Sequence, residues 1–241
     1  MTNDAPDLPE HLPTSPREGA SQRPPDDSFA AGLRGFGPLG ILAILVILAA
    51  QIAAPLSALL VLLWAWRSHT PWREIGYVRP AGWIRTLAVG IVFGVALKFL
   101  MKAIVMPLLG AEPINQTHQY LKGNRAALPT AIFSIIVVAG FGEETVFRGY
   151  MFERLGKLLG SAVWAKVLIV LLTTALFAAA HYSSGLAYVQ QAAIVGLVFG
   201  TIFAVTGRVF VLMFAHAAFN LTAVAMIYWD LEAKVAHLVF K

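Results

Sequence analysis

The sequence predicts an all-α fold: a polytopic membrane bundle of about six transmembrane helices with a polar site inside the bilayer. Three observations predict it. Of the 241 residues, 58% are hydrophobic and only 13% are charged. Long apolar segments recur along the chain, and a few ionisable residues interrupt them. Because a soluble domain of this length could not bury so much apolar surface, lipid is the expected solvent.

Six apolar segments are long enough, or nearly long enough, to cross a bilayer. A span needs roughly 20 apolar residues, each rising 1.5 Å, to cross a hydrocarbon core of about 30 Å. The third segment is mixed, since it is apolar as far as Gly142 and charged beyond it. We therefore expect an integral, multi-pass protein of the cell membrane. The predicted spans are residues 37–66, 84–109, 129–158, 163–183, 187–206 and 208–229.

The chain divides into two parts by composition. Residues 1–35 are rich in Pro, Asp and Ser and poor in aliphatic residues, which predicts a disordered tail. Residues 36–241 form the predicted transmembrane domain. The tail does not resemble a signal peptide, because the first apolar run begins late, follows acidic residues and is much longer than an h-region.

Charge and cysteine content exclude several classes of function. The chain has no cysteine, so neither disulfides nor thiolate chemistry are available. The net charge of +5 is modest, and the basic residues cluster between apolar runs. They are interpreted as anchors at anionic lipid headgroups, so membrane lipids are expected partners and nucleic acid is not.

The stretch "EETVFR" places charges directly after an apolar run. A charged side chain near the bilayer centre costs at least about 2.5 kcal/mol, so it usually marks a pathway, an ion pair or a catalytic site. Glu144 and Arg148 are four residues apart and can pair on one helix face. Glu143 lies about 100° around the helix and lacks that partner, which leaves its carboxylate available. The alternative is that this stretch is only the polar end of a short span.

Two later spans add histidine and amide groups. His181 closes the fourth apolar run, and it falls at nearly the same depth as Glu143 if the two helices run antiparallel from the turn near Gly160. His216 and Asn220 are four residues apart in the last span and share a face. A lone histidine in a span can simply join helices by a hydrogen bond. The recurrence of Glu, His and Asn in this half of the chain favours one shared site.

Taken together, these motifs resemble the signature of the CPBP family, the CAAX prenyl endopeptidase and bacteriocin-processing (Abi-like) group of intramembrane proteases. The family pattern is Glu-Glu-x-x-x-Arg, then Phe-x-x-x-His, then His-x-x-x-Asn or Asp on successive helices. This sequence has all three in order, and the resemblance covers residues 129 to about 225. The matching residues are Glu143, Glu144, Arg148, Phe177, His181, His216 and Asn220.

The resemblance implies an intramembrane endopeptidase that acts on a peptide or a lipidated protein. Glu143 and His181 would activate water, His216 and Asn220 would complete the site, and Glu144 with Arg148 would support it. Amide hydrolysis needs an activated water, oxyanion stabilisation and a proton for the leaving amine, and these side chains can provide all three. The cofactor is left open: either none is required, or Glu143, His181 and His216 hold a single Zn²⁺, as in a metalloprotease.

Two other classes of function remain open at this stage. Buried Glu and His side chains also carry protons in proton-coupled transporters, and a non-catalytic immunity or scaffold protein could use the polar cluster to fix helix packing. Outside the motifs, Lys98 and Lys102 could line a pore or snorkel to the interface, and snorkelling is favoured. His118 is expected to be solvated, and Ser183 and Ser184 are expected to form a helix-terminal turn before Gly185.

Overall fold

The structure, a computed structural model, describes residues 27–240. All regular secondary structure in this part of the chain is helical, and it contains no strand. The all-α prediction is therefore confirmed. The helices are α1 Ser28–Arg34, α2 Pro38–Ala49, α3 Ala54–Arg67, α4 Trp83–Leu108, α5 Arg125–Leu159, α6 Val163–Ala180, α7 Leu186–Thr206, α8 Phe210–Tyr228 and α9 Glu232–Ala236.

Five helices, α4 to α8, are long and apolar enough to cross a membrane, and α1 with α2 would make a sixth if that pair, bent by 56°, counts as one span. This agrees with the prediction of about six. Large apolar side chains on these helices face outward, where lipid would cover them. Examples are Ile84, Val92, Val167, Leu171 and Val205, which are 86%, 68%, 53%, 51% and 82% exposed.

The first predicted span, residues 37–66, is not one helix. The chain turns back over Ala50–Ala53, so that α2 and α3 form an antiparallel hairpin. The Ser57 hydroxyl donates to the Ile47 carbonyl at 2.7 Å near the turn, and the Trp64 indole donates to the Leu33 carbonyl at 3.0 Å at the open end. Pro55 cannot donate the backbone hydrogen bond that would continue α2. With 12 and 14 residues, the arms are about 18 and 21 Å long, too short to cross the hydrocarbon core.

The end of the predicted tail is also helical. Residues 1–26 lie outside the described residues, so the predicted disorder stays a prediction there. From Ser28 onward the chain forms α1, which the Asp27 carboxylate caps by accepting from the Ala30 backbone N–H at 3.0 Å. Ala30 and Leu33 are buried. Their burial gives this short segment the apolar contacts that the rest of the tail lacks by composition.

Helix α5 is central: it packs against α3 on one side and α8 on the other, while α8 runs along α4 and α6 pairs with α7. Its stretch Ser134–Tyr150 is wound more widely than an α-helix, as a π-helix. Helices α4 and α8 approach closely at Gly94, where an added Cβ would lie 2.1 Å from the Ala215 carbonyl oxygen of α8. Small residues of this kind let helix backbones meet in membranes. As a result α8, which carries His216, is held between α4 and α5.

Candidate active site

A buried ion pair lies at the centre of the site. Arg148 donates to the Glu144 carboxylate at 3.0 Å, and the two side chains are 2% and 0% exposed. This confirms the pairing predicted from their spacing. The Arg148 guanidinium also lies over the rings of Phe177 and Phe199, 4.7 and 5.6 Å from the centroids. The two opposite charges cancel, so the ion pair adds almost no net charge to the core.

His216 connects this pair to Glu143. Its Nδ1 lies 2.7 Å from Glu144 Oε1. Because a carboxylate beside Arg148 can only accept, Nδ1 carries the hydrogen and Nε2 is left with a lone pair. That Nε2 lies 3.7 Å from Glu143 Oε2. The Glu143 side chain is 18% exposed, against 0% for Glu144. The two adjacent glutamates therefore differ: Glu144 is fixed in an ion pair, whereas Glu143 is only partly buried and its Oε2 has no hydrogen-bond partner among the described residues.

His181 lies at the C-terminal end of α6 and points into the same region. Its Nδ1 donates to the Phe177 carbonyl at 2.8 Å, so the lone pair of a neutral ring is on Nε2. The Phe177 ring separates the two imidazoles, with centroids 4.8 Å from His181 and 6.1 Å from His216. Phe177 thus fixes the spacing between the histidines, and both present Nε2 as a proton acceptor.

His181, His216 and Asn220 line one cavity of about 660 Å³. Glu143 is not among the described lining residues and approaches His216 from the α5 side. The structure therefore brings the predicted side chains together from three helices, with His216 as the link between Glu143 and the cavity.

The arrangement does not support the zinc alternative. Among residues 27–240, no three His, Asp or Glu side chains are grouped so that they could hold a metal ion. Glu143 and His216 approach each other, but His181 does not complete a three-ligand cluster with them.

Sequence reasoning did not predict the burial and the contacts of Lys98. The prediction that it snorkels is wrong: Lys98 is only 8% exposed and lines the cavity. Its Nζ donates to Gln191 Oε1 at 2.9 Å and lies 4.7 Å from the centroid of the Phe219 ring. Since Gln191 lies 93 residues further along the chain, no local pattern could have indicated this contact.

Lys102 and His118 also differ from expectation. Lys102 does not snorkel but pairs with Glu232 at 3.1 Å, with both side chains largely buried. His118 is partly buried, lines the cavity and has its Nδ1 2.8 Å from the Tyr188 hydroxyl, so it is not simply solvated. Burial lowers the pKa of His118 below the ordinary value of 6.5. The turn at Tyr182–Ser184, by contrast, is found as expected.

Comparison with known families agrees with the motifs. Residues 125–222 match the family model described as type II CAAX prenyl endopeptidase, Rce1-like. The matched segment runs from the start of α5 into α8 and contains every site residue named from the sequence. Comparisons with curated proteins and with solved structures gave no match.

Proposed function

Since residues 125–222 match the family model described as type II CAAX prenyl endopeptidase, Rce1-like, we propose that this membrane protein hydrolyses a peptide bond within the bilayer, without a metal, by activating water with Glu143 and two histidines. The observation that carries the proposal is the continuous chain of contacts from Arg148 through Glu144 and His216 to Glu143. The alternatives, a proton relay or a scaffold, have no comparable support.

The buried ion pair determines which ring nitrogen of His216 carries the hydrogen. Glu144 accepts the Nδ1–H of the imidazole and also accepts from Arg148, so the free Nε2 faces Glu143. Two acceptors 3.7 Å apart can each accept one O–H of the same water molecule. Such a water would direct its oxygen lone pairs toward the cavity, where a substrate carbonyl would lie.

The bond changes then follow. The water oxygen attacks the carbonyl carbon while Glu143 takes its proton, and the carbonyl oxygen becomes an oxyanion. The Asn220 amide, one turn after His216, donates an N–H to that oxygen. The C–N bond breaks as the amine nitrogen takes the proton that Glu143 removed from water, passed on through His181 Nε2, which restores the Glu143 carboxylate. The new carboxylic acid then loses its remaining proton to the amine, so the products are a carboxylate and an ammonium ion.

The substrate class follows from the family and from the surroundings of the site. A CAAX-type protease acts on a peptide or a prenylated protein, and the cavity is built by helices that are apolar enough to span the membrane. We infer that the substrate is a peptide segment held at the membrane, and that the protein acts in the cell membrane.

The decisive experiment replaces Glu143 by Gln in protein purified in detergent and assayed on a prenylated peptide. Removal of a general base typically lowers the rate by about 10²–10⁴-fold, and we expect a loss of that order without loss of folding. The matched control is Glu74→Gln, which changes an exposed glutamate that pairs with Lys157 at 3.7 Å and should leave cleavage unchanged. Undiminished cleavage by Glu143→Gln would remove Glu143 from the mechanism.

A further inference from the structure

Thr145 directly follows Glu144 in α5, and the proposed mechanism gives it no role. It is 0% exposed, and its hydroxyl donates at 2.7 Å to the carbonyl of Phe141, one turn earlier in the same helix. The same hydroxyl lies 2.7 Å from the hydroxyl of Tyr77, which belongs to the connection between α3 and α4. Because a threonine hydroxyl has a single hydrogen, and Phe141 receives it, Tyr77 is the donor to Thr145. Burial raises the pKa of Tyr77 to about 12, so this hydroxyl keeps its proton at neutral pH.

The connection that carries Tyr77 is held between α5 and α8. Gly76 is buried and has a φ of +80°, a conformation that glycine adopts without strain, and its carbonyl accepts from the Val209 backbone N–H at 3.0 Å. Ile75, which is 0% exposed, directs its carbonyl at Gly149 of α5, where an added Cβ would lie 3.0 Å from that oxygen. The Tyr77 hydroxyl therefore approaches α5 from a fixed position.

Thr145 lies on the side of α5 that faces away from the reacting groups. It follows Glu143 by two residues, which is roughly half a turn of a helix. Glu143 approaches His216 on the opposite side, at 3.7 Å. The stretch Ser134–Tyr150 is a π-helix, and such turns are rare and usually occur singly, so a stretch of this length depends on outside contacts to keep its geometry. A rotation of this stretch would move both adjacent glutamates relative to His216.

We propose that the hydrogen bond from Tyr77 to Thr145 is a brace that fixes the rotation of α5, so that Glu143 and Glu144 face His216. Tyr77 and Thr145 are then positioning residues for the reaction, and neither is among the described residues that line the cavity. The inference rests on the proposed function and extends the site to Tyr77, which lies outside the segment that matches the family model. Since a misplacement of about 1 Å can lower a rate by about 10²-fold, loss of the brace should act on kcat.

The test uses full-length variants that remove or retain one hydroxyl, purified in detergent and assayed on the prenylated peptide. Tyr77→Phe and Thr145→Val should each lower kcat by about tenfold and leave KM within about twofold of wild type, whereas Thr145→Ser should retain activity because it keeps the hydroxyl. The double variant should be no slower than Thr145→Val alone, since both changes remove the same hydrogen bond. The matched control is Thr173→Val in α6, which removes another buried hydroxyl that donates one turn back, to Ile169 at 2.8 Å, and should leave kcat unchanged.

A spectroscopic measurement separates this inference from the proposed function, because it needs no substrate. Nitrogen NMR of isotopically labelled histidine, with His216→Gln for assignment, shows which ring nitrogen of His216 carries the hydrogen. Wild type and Thr173→Val should show the hydrogen on Nδ1, whereas Tyr77→Phe should shift part of the population to Nε2 as Glu144 moves. Unchanged His216 signals in Tyr77→Phe, additive losses of kcat in the double variant, or equal losses in Thr145→Ser and Thr145→Val would each overturn the brace. Absence of cleavage by the wild-type protein would count against the protease proposal alone, and the His216 signals would still decide the role of Tyr77.

Discussion

Removing both members of the Glu144–Arg148 pair should destabilise the protein much less than the sum of the losses caused by removing each member alone. The pair is almost fully buried, at 0% and 2% exposure, with a 3.0 Å contact. Glu144→Gln leaves a guanidinium in the core without a carboxylate, and Arg148→Met leaves a carboxylate whose remaining partner is His216. Breaking a buried pair in this way costs about 3–5 kcal/mol.

The two single changes should differ in size. After Arg148→Met, Glu144 keeps its hydrogen bond from His216 at 2.7 Å, so we expect the lower end of the range. After Glu144→Gln, the amide oxygen can still accept from Arg148 but carries no negative charge, and the rings of Phe177 and Phe199 contribute about 0.5–2 kcal/mol each, so we expect the upper end. The double variant contains no buried charge from this pair. Its loss should be at least about 2 kcal/mol smaller than the sum of the single losses.

The assay is reversible unfolding in mixed micelles, with the free energy of unfolding measured for wild type, both single variants and the double variant. Asp230→Asn is the matched control, because the pair of Asp230 with Lys122 is 61% and 49% exposed and exposed pairs contribute about 0–1 kcal/mol. Additive losses in the double variant, or single losses no larger than that of Asp230→Asn, would refute the argument that the pair is buried and mutually dependent.

Two further changes test the packing of α4 and the state of His118. Gly94→Val should lower both the unfolding temperature and the activity, because even a Cβ there would lie 2.1 Å from the Ala215 carbonyl oxygen, and overpacking typically costs about 1–3 kcal/mol; an unchanged unfolding temperature would contradict the close approach. Burial lowers the pKa of His118 below 6.5, so the unfolded chain binds a proton more readily and stability should fall as the pH drops below about 6.5. His118→Phe should flatten that part of the stability–pH profile, and an identical profile in the variant would show that His118 does not cause it.

The sequence was informative where local spacing determines geometry. The Glu144–Arg148 pair follows from four-residue helical spacing, and it is present. The position of Glu143 around the helix predicts that it takes no part in this ion pair. Glu143 does lie outside it, with its Oε2 3.7 Å from His216 Nε2. Apolar length likewise predicted the five long helices. Each of these depends on residues close together in the chain.

The sequence was uninformative where an interaction joins distant segments or where the chain reverses within an apolar run. In the sequence, the hairpin of α2 and α3 looks like one span because hydropathy stays high through the turn. Pro55 is the sequence signal that marks the break. The hydrogen bond between His216 and Glu144 joins residues 72 positions apart, and the ion pair of Lys102 with Glu232 joins residues 130 apart. Snorkelling was predicted for Lys98 and Lys102 because their partners, Gln191 and Glu232, lie in other helices, and the sequence alone does not show how those helices pack.

Lys98 and Lys102 are two like charges one turn apart in α4, and Glu143 and Glu144 are two like charges side by side in α5. In the described part of the chain, one residue of each set forms a buried ion pair: Lys102 with Glu232, and Glu144 with Arg148. The other two have weaker contacts, Lys98 with a neutral amide and an aromatic ring, and Glu143 with His216 at 3.7 Å. Because a buried charge without a partner is costly, Glu143 gains most from the water molecule that the proposed mechanism holds between its Oε2 and His216 Nε2. Glu144 is already compensated by Arg148 and gains little from such a water. The same energetic argument therefore supports the proposed role of Glu143, and not of Glu144, in bond cleavage.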